Sequence, residues 1–111
     1  MYFMFMKIID VNYKDDIFLA LESVEITKAS YIEARNLEKS LTDDLPLFKG
    51  FFTTDEEKEK QVIIVTALVE RTEQIDEFVS ILEASGLNVR EEEIFRLALM
   101  PVTMTFDPTK D

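Results

Sequence analysis

Four basic residues stand where they could gather an anion. Arg35, Lys39, Lys49 and Arg90 all fall at the ends of predicted strands or inside a long connection. Lys and Arg total 12 against 23 Asp and Glu, a formal charge of −11, so the placement of the few cations says more than that of the many carboxylates. These residues could equally do no more than offset local acids, and spacing alone does not separate the two readings. Carboxylates cluster at Asp43-Asp44, at Asp55-Glu-Glu57 with Glu59, and at Glu91-Glu-Glu93. Each could collect a hard cation. None has EF-hand spacing, Lys58 and Lys60 interleave the middle cluster, and all three read as solvated surface. The chain has no Cys and no His, which removes thiol catalysis, disulfides, Cys/His zinc sites and His-based triads. Function must be sought in binding.

The acidic balance argues against DNA or RNA, whose phosphates need a basic face, and against docking on anionic membranes. The apolar start, Met1-Tyr-Phe-Met-Phe-Met6, is interrupted by Lys7 and Asp10 at strand length. A membrane span needs about 20 apolar residues. A signal peptide needs a basic start and a small-residue cleavage site, and neither is present. The expectation is a soluble cytoplasmic protein. At 111 residues with 47% apolar content, the chain matches a single domain over 1–111 with a packed core.

Periodicity places the elements. Aromatic and β-branched residues predict a strand over 2–11, broken by Asn12 and Asp15. Asp15 or Asp16 is the expected N-cap of a helix through about Val24, with Ile17, Phe18, Leu21 and Val24 as its apolar stripe. Residues 30–35 alternate, with Ser30, Ile32 and Ala34 facing one way and Tyr31, Glu33 and Arg35 the other. The run 61–69 (QVIIVTALV) predicts a central strand buried on both faces. Thr72 is the expected N-cap of a second helix with stripe Ile75, Phe78, Val79 and Leu82, stopped by Gly86 with Leu87 as its hydrophobic contact. Residues 94–106 alternate as a last strand, broken once by Pro101.

The order β-α-β-β-α-β predicts an α+β, ferredoxin-like sandwich: a four-stranded antiparallel sheet with both helices on one face. Three strands carry apolar residues on both faces, as Phe3, Phe5, Val65, Leu97 and Leu99 illustrate. A monomer would leave a large apolar sheet face in water, so oligomerisation through that face is expected.

Residues 36–60 join the second and third strands, where a hairpin needs only a few residues. Their middle, Leu45-Pro-Leu-Phe-Lys-Gly-Phe-Phe52, is rich in Leu and Phe. Such a run either packs on its own or a neighbouring subunit or engages a partner protein, with Leu45, Leu47, Phe48, Lys49, Phe51 and Phe52 as its contacts.

With this order and this long connection, the chain resembles the P-II nitrogen-regulatory superfamily, in particular its P-II-like branch. The resemblance spans nearly the whole chain at the level of pattern. Ser30-Tyr-Ile-Glu-Ala-Arg35 looks like the family's second strand. Asp44-Leu-Pro-Leu-Phe-Lys-Gly50 is similar to the acidic-aliphatic-Pro-aliphatic-Phe-x-Gly run of the P-II-like branch. Glu93-Ile-Phe-Arg-Leu-Ala-Leu-Met-Pro-Val102 resembles its last strand. The resemblance implies a homotrimer whose sheets line the centre. It also implies signalling through a T-loop that plugs into a target such as a transporter or an enzyme, and adenine nucleotide bound in clefts between subunits. On this resemblance Ser30 falls on the small hydroxyl position of strand two, and Arg35 and Lys39 on basic positions at the T-loop base.

Nucleotide-binding members carry glycines where this chain has Asn36 and Glu38, and a Gly-rich loop where it has Asn88-Val-Arg-Glu-Glu-Glu93. Phosphate cradles need close backbone approach and positive potential. ATP is therefore expected to bind weakly or not at all. No cofactor or metal is assigned, and Ser30, Arg35, Asn36, Lys39 and Arg90 remain as the candidate site for a small effector. A CutA-like metal-tolerance trimer can share this architecture and its Pro101-Val-Thr103 ending, but soft metals would want His or Cys. A small ferredoxin-like enzyme would have to use Glu33 or Arg35 for acid–base work. A non-enzymatic regulator is the expectation.

Overall fold

The computed structural model of the chain describes residues 1–37 and 61–108. Over these it has strands β1 (Tyr2–Ile8), β2 (Ala29–Arg35), β3 (Gln61–Val69) and β4 (Phe95–Pro101), with helices α1 (Lys14–Ser23) and α2 (Glu73–Ala84). The sheet is antiparallel throughout in the order β2-β3-β1-β4, the ferredoxin-like arrangement expected from the element order. Alternation decides which side of each strand enters the core. Met4, Met6 and Ile8 of β1 and Ile63, Val65 and Val69 of β3 are buried beneath Ile17 and Leu21 of α1 and Phe78 and Leu82 of α2. The Phe78 and Phe95 rings meet at 5.5 Å and tie α2 to β4.

Element boundaries depart from the pattern where tertiary partners intervene. The strand expected over 2–11 stops at Ile8, because Ile9 N and Asp10 N both donate to the Ile94 carbonyl and leave the ladder. A single 3₁₀ turn (Val11–Tyr13) follows, with the Asp10 carboxylate accepting from Asn12 N. Tyr13, not Asp15 or Asp16, is the cap of α1, and both aspartates sit in its first turn, where the helix dipole favours them. Thr72 does occupy the cap position of α2, but its side chain makes no capping bond. The last strand ends at Pro101 instead of Phe106. Val102 N still donates to the Met1 carbonyl, but β1 begins at Tyr2, opposite Pro101, and supplies nothing further to pair with.

Both helices stop by the same device. After α2, Gly86 adopts φ +94° and Leu87 N donates back to the Leu82 carbonyl, burying Leu87. After α1, Ile26 N donates to Leu21 O in the same way, yet the left-handed residue is Glu25, at φ +64°. A side chain there carries a conformational penalty that glycine avoids. Glu25→Gly is expected to raise stability by about 0.5–1 kcal/mol in a urea titration, the inverse of the usual loss when a left-handed glycine is replaced.

Candidate functional site

A cleft opens between the C-terminal half of α1 and the edge strand β2. Alternation turns Tyr31 toward the helices, where its ring meets Phe18 at 4.9 Å and a 36° tilt. These rings, with Leu21, Ile26 and Val65, wall a cavity of about 290 Å³. Glu22 and Thr27 stand at its rim, and no Lys or Arg contributes. The Glu22 side chain is exposed and makes no hydrogen bond or ion pair within the described residues. One exposed carboxylate beside two aromatic rings, with no cation in the lining, suits a neutral or cationic group with a flat body and disfavours phosphate.

Of the expected effector residues only Ser30 borders this cleft, and strand alternation turns its side chain to the face opposite Tyr31. Arg35 ends β2 and pairs with Gln61, so it lies five residues along the strand from Ser30 and on the other side of it. Asn36 follows it. Arg90 lies between α2 and β4, where its Nε donates to the Glu83 carboxylate at 3.3 Å. The register sets the Arg35 end of β2 and the turn before β4 at the same end of the sheet. They stand at opposite edges, however, three strand spacings or about 14 Å apart. One copy does not join Arg35 and Arg90 into a single anion site. Lys39 and the run containing Leu45, Leu47, Phe48, Lys49, Phe51 and Phe52 lie outside the described residues.

The acidic turn before β4 satisfies itself. Glu92 N donates to the Asn88 carbonyl, Asn88 Nδ2 to Glu91, and Arg96 to Glu93 at 2.7 Å. The apolar stripe of α1 does not by itself reveal the cleft, because Phe18 both packs against the core and reaches its edge. Phe18 is in fact half-buried, packing on Tyr31 of an edge strand that nothing flanks on one side among the described residues. An aromatic on the helix-facing side of a predicted edge strand was the signal available.

The opposite face of the sheet is apolar and uncovered by either helix. Phe5 is 41% exposed, Ile32 64%, Leu68 38% and Met100 47%. The register aligns Phe3 with Leu68 and Met100 across three strands, and Ile32 with Ile64 in a row that continues into Lys7 and Arg96, so the face is apolar over much of its area and carries cations at one end. No family model and no curated protein matches the chain. Among the described residues no helix is long and apolar enough to cross a membrane.

Proposed function

We propose that this chain is a P-II-like regulatory protein: a non-enzymatic homotrimer that senses a small effector and contacts a partner protein through residues 36–60. The observation that carries the reading is the ferredoxin-like sheet with helices on one face and the exposed Phe5, Ile32, Leu68 and Met100 on the other. Three such faces turned inward remove that surface from water, and exposed apolar patches of this extent mark interaction sites. In this assembly the β2 edge of one copy meets the β4 edge of the next, so Arg35 and Asn36 face Arg90 across the boundary. The effector binds there, at the base of the long connection. The run Leu45-Pro-Leu-Phe-Lys-Gly-Phe-Phe52 supplies the aromatic anchors for the partner.

Light scattering at moderate salt tests the assembly. The expected mass is three times 12.9 kDa, and a 12.9 kDa species at micromolar concentration rejects the proposal. A thermal-shift panel of ATP, ADP, AMP, cyclic nucleotides, bicarbonate and 2-oxoglutarate tests the effector, since a ligand of the native state raises Tm by mass action. The carboxylates at Glu38 and in the turn before β4 predict the smallest shift for ATP.

A further inference from the structure

The open face contains a cation pair that the apolar reading leaves unexplained. Lys7 in β1 and Arg96 in β4 lie directly opposite each other in the register. Met4, Met6 and Ile8 enter the core, and Leu97 and Leu99 pack against it, so Lys7 and Arg96 both sit on the helix-free side. Like charges directly opposite on one sheet face are destabilising. None of the strand residues on this face is an Asp or Glu, in a chain where acids outnumber bases almost two to one. Glu93, just before β4, holds Arg96 from outside the strand with one guanidinium nitrogen. Lys7 is half-buried and has no hydrogen bond or ion pair within the described residues.

We propose that Lys7 and Arg96 form an anion-binding site on the open sheet face, completed when further copies cover that face. Its ligand is a small multivalent anion of the phosphate or polycarboxylate class. The inference rests on the assembly proposed above. Burying the Lys7 ammonium without a counter-ion costs several kcal/mol, and Glu93, already engaged by Arg96, is the one carboxylate against this pair among the described residues. An anion accepting from Lys7 Nζ and from the unused guanidinium nitrogens of Arg96 removes that cost through charge-assisted hydrogen bonds. Copies of −11 each also repel one another, so a face whose strand residues include two cations and no acid is the surface by which they can approach, and a bound anion is what lets those cations be buried there.

Sedimentation velocity on the full chain separates the possibilities. Buffers of equal ionic strength contain chloride alone, chloride with inorganic phosphate, or chloride with citrate. With one site per copy of a trimer, phosphate or citrate is expected to lower the protein concentration needed for assembly by about thirtyfold when present at about ten times its Kd. The relative size of the two effects shows which anion chemistry is preferred. Lys7→Met, which points away from the core and retains the wild-type circular dichroism, is expected to assemble as well in chloride as the wild type does in phosphate. It is also expected to lose the anion response, while Lys7→Arg keeps it. An assembled wild type that treats all three buffers alike overturns the anion site and leaves the assembly standing. A Lys7→Met variant with an undiminished response overturns it as well. A monomer in every buffer overturns the assembly and the site together.

Discussion

Replacing Phe5 with aspartate is expected to turn the proposed trimer into folded monomers. Phe5 lies mid-way along β1, one of the two central strands, with Thr66 and Ala98 as its neighbours across the sheet. Its ring is 41% exposed and points away from the core, so the substitution creates no cavity among the buried side chains. A carboxylate there becomes buried in every subunit contact the face makes, at several kcal/mol per copy, which Lys7 two residues along the same face offsets only in part. In the proposed trimer three copies share that penalty. The expected result by light scattering is a fall to the monomer mass with the far-ultraviolet circular dichroism unchanged. An unaltered mass means that the sheet face is not the contact surface.

The second large effect is on stability and involves Gln74. It is the one buried polar side chain among the described residues. Its Oε1 accepts from Glu70 N at 3.1 Å and Arg71 N at 3.0 Å, closing the turn between β3 and α2. Its Nε2 donates to the Val24 carbonyl at 2.9 Å, at the C-terminal end of α1. One amide thus begins one helix and ends the other, linking the two β-α-β halves. Gln74→Leu keeps the volume and strands two donors and one acceptor. Each unsatisfied buried group costs about 1–3 kcal/mol, and partial access to water at these turns lowers the sum to about 2–4 kcal/mol. Chemical denaturation monitored at the transition midpoint should register this as a large shift. Loss of less than about 0.5 kcal/mol would show that water replaces the amide at no cost.

Much of the fold was legible because it is written in local periodicity. The stripes Ile17, Leu21 and Val24, and Phe78 and Leu82, are buried as their helical spacing requires. The run 61–69 is a central strand because nearly every residue can face apolar surroundings. Gly86 stops α2 because its left-handed φ is easiest without a side chain. The alternation of Phe3 and Phe5 against Met4 and Met6 announced two apolar sheet faces before any topology was known.

What periodicity cannot express is which distant residue stands opposite. Residues 102–106 keep a strand pattern, yet Met104 and Phe106 are 82% and 88% exposed, because β1 is exhausted one residue earlier. Thr72 has a capping side chain, but Gln74 takes over the turn because the Val24 carbonyl, 50 residues away in sequence, lies within its reach. Arg35 and Arg90 both fall at the ends of elements, where they could gather one anion, and the strand order sends them to opposite edges of the sheet. Lys7 and Arg96 look unrelated, and the antiparallel register brings them face to face. Side-chain type and spacing set which surfaces must be buried, since burial follows from local apolar pattern. The charges that share a surface were decided by strand order and register, which are properties of pairs of segments and belong to neither segment alone.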